Sequence, residues 1–354
     1  MKNKKLKIIY IINSLSVGGT EKQLVELIKK IKDQFEIKLF AFRSGELLRA
    51  LKKCEIDITI AKGNSLIFDF IQLAKFILLN NTDIYHFLLP KSYIIGGLVT
   101  FLSNKKKILS RRSLNNYHKK YLNISKIIER QLHKKVERII VNADIIKNQL
   151  IKDEFVESSK IIKIKNFIPP LTATKKIKAK KKSFIYVANF IPYKGHLDLV
   201  EICSFLLNIR DWRLYLVGED RNGHLKLIKK KIKELGLQDR IVITGLVQNV
   251  EGLYSKMDFA ISTSTEEGSS NFLLEAITNK LPIIAYDVGG NSDFFNKRNG
   301  FLIKPFDKIL FCKKIKYFLQ CKNLKGFSDQ SFFHLTKEFN NDQSLKKYLS
   351  CYKM

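Results

Sequence analysis

The chain has 354 residues, of which 45% are hydrophobic, enough apolar material for two packed domains and too much for an intrinsically disordered protein. Its 64 Lys and Arg residues outnumber its 33 Asp and Glu residues, and the formal charge of +31 favours contact with phosphates, nucleic acids or anionic membranes. Lysines on solvated helix faces would give the same charge. The five cysteines are scattered without a C-x-x-C pair, which argues against a disulfide framework or zinc site and suits a reducing cytoplasm.

No segment reaches the roughly 18 uncharged apolar residues that a membrane-spanning helix needs. The apolar stretch Leu66–Leu79 is interrupted by Asp69 and Lys75. The run Ile8–Ile12 follows several lysines but is too short for a signal peptide, and we interpret it as a first strand.

In the first half, strand-like apolar runs alternate with helical segments, which is typical of βα units that build a parallel sheet. The loop after the first strand contains Gly18 and Gly19 and leads into a helix from Glu21, an arrangement that can hold a phosphate. Two adjacent glycines often only shape a turn, so this loop alone is weak evidence. The predicted strands are Lys7–Ile12, Glu36–Phe42, Ile56–Ala61, Ile84–Leu89, Lys107–Ser110 and Arg138–Asn142.

Two residues and one basic stretch of the first half are candidates for ligand contact. His86 lies in a predicted strand, where a single His is more often structural, and Arg111 follows the next predicted strand. The basic stretch combines Lys105–Lys107, Arg111–Arg112 and the aromatic segment Tyr117–Tyr121. It fits a solvated surface, a patch for a membrane or an anionic lipid carrier, or a nucleic-acid site.

The charged segment Lys175–Lys182 lacks apolar periodicity, so we predict an exposed linker between two domains there. In the second half, Lys194 precedes Gly195 at a predicted helix start, where an ammonium group is well placed for a phosphate. A surface lysine fits the same position equally well. The predicted strands of this half are Phe184–Ala188, Trp212–Gly218, Ile241–Gly245, Phe259–Ser262 and Leu281–Tyr286.

The most informative stretch is Thr263–Ile277, which leads from a predicted strand through a polar turn into a helix. Backbone amides at a helix start attract anions, and Gly268 permits a tight turn with close approach of a ligand. The carboxylates of Glu267 and Glu275 can accept hydrogen bonds from sugar or ribose hydroxyls. The stretch therefore predicts a nucleotide-sugar site, although two solvated glutamates would give the same pattern.

This stretch resembles the E-x(7)-E segment of the retaining family-4 glycosyltransferases, also called glycosyl transferases group 1. Gly18–Glu21 resembles the G-G-x-E loop of that family, and Asp287–Asp293 and Asn299–Ile303 resemble its next segments in order and spacing. The resemblance implies an α/β GT-B fold, with two Rossmann-like domains whose parallel sheets face each other across a cleft. We expect an N-terminal acceptor domain over residues 1–172, a linker over 173–182, a donor domain over 183–335, and a C-terminal helix over 336–354 that crosses back to the first domain.

The resemblance also implies roles for single residues. Catalysis is expected from Glu267, Lys194 and His86, and acceptor contact from His86. Arg111 is expected to contact an acceptor phosphate because of its position at the end of a predicted strand. Asn189 stands where the family has an Arg that contacts the donor diphosphate, which removes one cationic contact. The expected donor-binding residues are Gly18, Gly19, Asn189, Lys194, Gly218, Val247, Glu267, Gly268, Ser269, Ser270, Asn271, Phe272 and Glu275.

The implied reaction moves a sugar from a UDP- or GDP-sugar to a glycan or lipid-linked acceptor during surface polysaccharide or lipopolysaccharide biosynthesis. The resemblance implies that no bound metal or other cofactor is needed, and the sequence has no D-x-D pair that would hold a metal for a diphosphate. We expect a cytoplasmic protein that attaches peripherally to the inner face of the plasma membrane, with no nucleic acid as partner. The alternatives are a basic nucleic-acid-binding protein, a GT-B scaffold that has lost catalysis, and a nucleotide-sugar epimerase.

Overall fold

The computed structural model describes residues 5–63, 65–115, 124–170, 181–220, 222–247, 250–296 and 298–353. The chain divides into two compact units, one formed by Met1–Phe167 with Asn341–Met354 and the other by Ile168–Asn340. The predicted linker at 173–182 lies outside the described residues except for its last two positions, and the segment Tyr117–Tyr121 lies wholly outside them.

The first unit is built on a parallel sheet of seven described strands with the order β3-β2-β1-β4-β5-β6-β7. Six strands lie where the sequence predicts them, within two residues at each end. The short seventh strand was not predicted, because its lysines interrupt the apolar run. The strands are Lys7–Ile12 (β1), Glu36–Ala41 (β2), Asp57–Ile60 (β3), Ile84–Leu88 (β4), Lys106–Arg111 (β5), Arg138–Val141 (β6) and Ile161–Lys163 (β7).

Both faces of this sheet are covered by helices, so its central strands are apolar on both sides. In β1, Ile8 and Tyr10 contribute to one core, while Ile9 and Ile11 contribute to the core on the opposite face. The helices are Gly19–Ile31 (α1), Leu48–Lys52 (α2), Leu66–Leu79 (α3), Pro90–Val99 (α4), Ile124–Lys134 (α5), Asp144–Glu154 (α6) and, from the end of the chain, Asn341–Lys353 (α13).

The C-terminal helix α13 belongs to the first unit because its aromatic face packs on the core that includes α1. Tyr348 and Tyr352 are fully buried, and the Tyr352 hydroxyl lies 2.8 Å from the Tyr10 hydroxyl. The Ser344 hydroxyl donates to the carbonyl oxygen of Lys165 at 3.0 Å.

The second unit contains a parallel sheet of six described strands with the order β10-β9-β8-β11-β12-β13. Its core is one apolar cluster that includes Trp212, Phe184 and Phe259. The strands are Lys182–Val187 (β8), Trp212–Val217 (β9), Ile241–Gly245 (β10), Phe259–Ser262 (β11), Ile283–Tyr286 (β12) and Gly300–Ile303 (β13). The helices are His196–Ser204 (α7), His224–Glu234 (α8), Val250–Tyr254 (α9), Asn271–Thr278 (α10), Lys308–Gln320 (α11) and Lys325–Glu338 (α12).

In each sheet the strand order reverses beside the first strand of that unit, between β1 and β4 and between β8 and β11. Open α/β sheets bind ligands at the carboxyl ends of the strands at such a reversal. Across the described residues, every helix is too short or too polar to cross a lipid bilayer.

Candidate active site

The candidate site of the second unit lies at the reversal between β8 and β11. The loop after β8 carries Lys194 and leads into α7, and the loop after β11 carries Glu267 and leads into α10. Two helix N-termini therefore flank this point of the sheet. Helix N-termini carry partial positive charge and exposed amides, so the arrangement favours an anionic ligand.

Backbone contacts hold the two loops together. The carbonyl oxygen of Tyr193 accepts a hydrogen bond from the Thr265 amide at 2.8 Å, and the Thr263 hydroxyl donates to the carbonyl oxygen of Gly195 at 2.9 Å. The turn Pro192–Lys194 begins with proline, whose fixed φ suits the start of a 3₁₀ turn. The position of Lys194 is thus fixed by the loop that carries Glu267.

Lys194 and Glu267 form an ion pair between the loops. The distance from Nζ to Oε1 is 2.6 Å, and the side chains are only 19% and 13% exposed. Burial, the largest single cause, lowers the pKa of Lys194, but the charge and hydrogen bond of Glu267 together with the neighbouring Tyr186 and Tyr193 outweigh it, and the pKa is raised. Lys194 therefore supplies a permanent positive charge at the strand ends.

Helix α10 begins beside this ion pair. The hydroxyl of Ser270 accepts from the Leu273 amide at 3.3 Å and caps the helix. The apolar residues of the helix pack into the core, where Phe272 meets the buried ring of Tyr186 at 5.4 Å between centroids. This packing holds the first turn, Ser269–Phe272, next to Glu267.

The loop that follows β12 contacts the turn that carries Glu267. The amide of Gly290 donates to the carbonyl oxygen of Gly268 at 2.6 Å. Gly289 has a φ of +59, and an ideal Cβ on it would lie 1.9 Å from the carbonyl oxygen of Glu267. A side chain at Gly289 would therefore displace the turn that carries Glu267, which explains the glycine at this position.

Glu275 lies in the second turn of α10 and is half-buried. The hydroxyl of Tyr254 donates to its Oε2 at 3.1 Å. Burial, followed by the negative charge of Glu275, raises the pKa of Tyr254 well above its ordinary value, so the phenol stays protonated as a donor. The partner of Glu275 was not predicted, because Tyr254 is 21 residues earlier and no local pattern links the two.

Asn189 and Gly218 lie at the ends of the neighbouring strands β8 and β9. The Oδ1 atom of Asn189 accepts from the Glu219 amide at 3.4 Å, so the residue in the family Arg position contacts the loop that follows β9. An ideal Cβ on Gly218 would lie 2.0 Å from the carbonyl oxygen of Ala188. Gly218 is therefore required for packing of the two strand ends. Val247 is half-buried against the core of the unit.

Gly18 and Gly19 belong to the first unit, at the carboxyl end of β1. Gly18 caps α1, which begins at Gly19, and an ideal Cβ on Gly18 would lie 2.2 Å from Oε2 of Glu21. The loop thus has the strand–glycine–helix form that the sequence predicts. Donor contact by these glycines remains a prediction.

The structure places His86 differently from the predicted catalytic and acceptor-binding position. The imidazole is fully buried in β4, with Nδ1 2.9 Å from the Tyr352 hydroxyl and Nε2 2.8 Å from the Ser110 hydroxyl. Burial lowers its pKa to about 3, helped by the positive charge of Arg112. His86 is a neutral residue enclosed by its own unit, and this position does not support contact with an acceptor.

Arg111 is also buried, contrary to its predicted position facing an acceptor phosphate. Its guanidinium group pairs with Glu129 at 2.9 Å and with Glu154 at 3.1 Å, because β5 directs it beneath α5 and α6. The same two carboxylates and His133 form a cluster with metal-ligand geometry among the described residues. Arg111 already provides the cation of this cluster, so the cluster is an internal ion-pair network.

Two family models match the chain, one in each half. Glycosyltransferase Family 4 matches residues 17–170, and Glycosyl transferases group 1 matches residues 169–327. The chain belongs to the family-4 glycosyltransferases. This membership confirms the resemblance seen in the motifs.

This glycosyltransferase matches known proteins along nearly its full length. It is 25% identical over 349 residues to the capsular polysaccharide biosynthesis glycosyltransferase CapH of Staphylococcus aureus, covering 93% of this chain and 95% of CapH. It is 22% identical over 340 residues to the Campylobacter jejuni GalNAc-alpha-(1->4)-GalNAc-alpha-(1->3)-diNAcBac-PP-undecaprenol alpha-1,4-N-acetyl-D-galactosaminyltransferase, covering 90% of each.

Among solved structures, Anabaena HepE in complex with UDP-glucose superposes with a TM-score of 0.83 at 16% identity, covering 98% of this chain and 100% of HepE. At this identity the likeness shows the fold alone. Together with the two parallel sheets, it confirms the predicted GT-B α/β fold.

Proposed function

We propose that this glycosyltransferase moves a sugar from a UDP-sugar to a glycan or lipid-linked acceptor in surface polysaccharide biosynthesis, with retention of anomeric configuration. The names of CapH and the Campylobacter enzyme support such an acceptor, and the UDP-glucose bound to HepE favours UDP over GDP. Retention is the outcome implied by the E-x(7)-E motif. The observation that carries the proposal is the Lys194–Glu267 pair at the strand reversal, 2.6 Å apart between two helix N-termini.

The proposed donor diphosphate binds at the start of α10. Lys194 and the amides of Ser269–Phe272 provide positive charge there, which stabilises the negative charge that develops on the leaving nucleotide diphosphate. When the sugar–phosphate bond breaks, the bond electrons stay with that diphosphate. The acceptor hydroxyl oxygen forms the new bond to the sugar, and its proton passes to an oxygen of the departing diphosphate. This charge stabilisation requires no bound metal, so we expect transfer to continue in the presence of EDTA.

The two carboxylates have separate proposed roles. Glu267 lies next to Lys194 and accepts hydrogen bonds from hydroxyls of the donor sugar. Glu275, held by Tyr254 at 3.1 Å, accepts hydrogen bonds from ribose hydroxyls. Glu267 lies in the loop before α10 and Glu275 within the helix, so the two carboxylates can meet different ends of a nucleotide sugar.

The test begins with ligand binding to the full chain. The melting temperature is measured with UDP-glucose, UDP-N-acetylglucosamine, UDP-galactose and GDP-mannose, because a ligand that binds the folded state raises apparent stability. We expect a UDP-sugar to raise it, and Glu275→Ala to abolish the shift. The control Glu234→Ala changes an exposed glutamate of α8 and leaves the shift unchanged.

Transfer is then measured with the stabilising donor and polyprenyl-diphosphate oligosaccharide acceptors, and NMR of the product gives the anomeric configuration. Retention is expected. Stabilisation by none of the donors would contradict the proposed site, and an inverted product would contradict the proposed mechanism. Binding without any transfer would support the alternative of a scaffold that has lost catalysis.

A further inference from the structure

Helix α3, Leu66–Leu79, is apolar on the face that points away from the protein. It buries only Asp69, Leu73 and Phe76, and most of its large apolar side chains are exposed. A helix that covers a core normally shows the opposite pattern, with polar residues on the outer face. The exposed side chains, between 42% and 86% accessible, are Leu66, Ile67, Phe68, Phe70, Ile71, Leu78 and Leu79.

Ion pairs fix the buried face of α3 against the rest of the first unit. Asp69 is fully buried and accepts hydrogen bonds from Arg43 at 2.9 Å and Lys91 at 2.6 Å. Burial alone raises the pKa of Asp69, but these two cations outweigh it, so the pKa is lowered and the carboxylate stays ionised. The one acid of the helix is thus neutralised beneath it, and Lys75 is the charged residue on its exposed side.

The apolar surface continues onto the neighbouring helix. α4 packs between α3 and α5 in the layer on one face of the sheet. α3 and α4 both connect parallel strands, so the C-terminal ends of the two helices lie at the same end of the sheet, where the strands begin. Leu98, Phe101 and Leu102 are exposed at the end of α4, and Lys135 lies over the Phe101 ring at 5.4 Å.

Four exposed lysines lie on or beside these helices. Lys75 lies on the outer side of α3 and Lys62 just before it, while Lys105 and Lys135 lie beyond the ends of α4 and α5. A contiguous exposed apolar surface marks an interaction site, and a basic one next to Leu, Ile and Phe side chains fits an anionic lipid surface. A second copy of the chain fits less well, because each copy carries a formal charge of +31 and would bring like charges together.

We propose that the surface formed by α3 and the end of α4 docks this protein onto an anionic membrane, with α3 lying in the plane of the headgroups. The helix has 14 residues and is about 21 Å long, too short for the roughly 30 Å hydrocarbon core, so it lies on the membrane and does not span it. Ile67, Ile71 and Leu78 insert into the headgroup–acyl boundary, while Lys75 and the adjacent lysines contact acidic headgroups. The surface belongs to the first unit, so its test does not depend on sugar transfer.

The experiment measures sedimentation of the full chain with vesicles of phosphatidylcholine, with and without phosphatidylglycerol. We expect binding to the vesicles that contain phosphatidylglycerol and a loss of binding as salt is raised. The combined variant Ile67→Gln, Ile71→Gln and Leu78→Gln is expected to lower the partition coefficient by at least about tenfold, because three apolar insertions are lost.

A matched control replaces three equally exposed apolar residues of the second unit, as Leu227→Gln, Ile309→Gln and Phe333→Gln. It is expected to bind vesicles as the wild type does. Equal loss in both combined variants, or no binding by the wild type, would overturn the proposal. If the α3 variant abolishes concentration-dependent dimerisation in the ultracentrifuge while vesicle binding is unchanged, the surface joins two copies of the chain, and the proposal is wrong.

A second variant keeps the test independent of folding defects. Leu78→Trp places an indole on the most exposed part of α3, and the chain's single Trp, Trp212, is fully buried and gives a constant background. We expect a blue shift of the new emission and quenching by brominated phosphatidylglycerol when vesicles are added. Emission that stays unchanged while the protein sediments with vesicles would place the contact elsewhere and overturn the proposal.

Discussion

Gly195 and Thr263 lie so close that no side chain fits between them. An ideal Cβ on Gly195 would lie 2.0 Å from the carbonyl oxygen of Thr263, and Gly195 has a φ of +66. The residue before Gly195 is Lys194, and the strand end at Thr263 leads to Glu267. This close contact, together with the hydrogen bonds from Thr265 to Tyr193 and from Thr263 to Gly195, sets the distance between the two charged residues of the candidate site.

The first prediction concerns the stability of this contact. Gly195→Ala is expected to lower the free energy of unfolding by about 3 kcal/mol or more, because it combines backbone strain with a steric clash. The matched control is Gly236→Ala, which has nearly the same φ of +64 but nothing within 4 Å of the added Cβ. The control should cost only about 1–2 kcal/mol. Urea denaturation measures both, and equal losses would show that the clash is relieved without cost.

The second prediction concerns Lys194 as a charge for the leaving diphosphate. Lys194→Met keeps the aliphatic length but removes the ammonium group, and kcat/KM is expected to fall by about 100-fold or more. The control Lys226→Met removes an exposed lysine of α8 and should leave kcat/KM unchanged. Steady-state transfer from the stabilising donor provides the measurement. A Lys194→Met enzyme with wild-type kcat/KM would exclude this role.

The third prediction concerns the pH dependence of stability. The pKa of His86 is lowered to about 3 in the folded chain, against about 6.5 when unfolded. The unfolded chain therefore takes up a proton that the folded chain does not, so stability is complete above pH 6.5 and falls as the pH is lowered towards 3. The loss from this group is about 2 kcal/mol at pH 5.

Urea unfolding of His86→Gln at pH 7 and pH 5 tests this contribution. The variant should lose less stability between the two pH values than the wild type, by about 2 kcal/mol. Tyr352→Phe is the control, because it removes the hydrogen bond at 2.9 Å but keeps the imidazole buried, so its pH dependence should match the wild type. A His86→Gln variant with an unchanged pH dependence would contradict the assignment.

The fourth prediction distinguishes a structural role for Arg111 from acceptor binding. Arg111→Met leaves Glu129 and Glu154 buried without their cation, and the free energy of unfolding is expected to fall by about 3–5 kcal/mol. Arg49→Met, at an exposed position of α2, should change it by less than about 0.5 kcal/mol. If Arg111→Met instead keeps its stability and raises the KM for the acceptor, the buried network is not the main role of this residue.

Most of the fold was predictable from the sequence, because buried parallel strands are continuous apolar runs and the helices between them have a 3.6-residue period. β1 was predicted with both ends correct, and α10 was predicted as the helix that follows the polar turn in Thr263–Ile277. β7 and β13 were not predicted as strands, since both are edge strands of only three and four residues. The loop that carries Glu267 was found because strand, glycine turn and helix start are local features.

The partners of single side chains could not be predicted in the same way. His86 and Arg111 lie in strands of the predicted sheet, but burial depends on which helices cover each face, and those helices come from distant parts of the chain. His86 is enclosed by Tyr352, 266 residues away. Glu275 likewise meets Tyr254 only because α9 and α10 are brought together by the sheet.

The sequence by itself determined the two α/β units, the family and the loops at the strand ends, because each depends on residues that are neighbours along the chain. Only the tertiary structure decided that Lys194 pairs with Glu267, that His86 and Arg111 are enclosed, and that α3 turns its apolar side outward. These outcomes depend on packing between distant segments. In particular, the inward position of Asp69 between Arg43 and Lys91 fixes the rotation of α3, and no local pattern encodes that rotation.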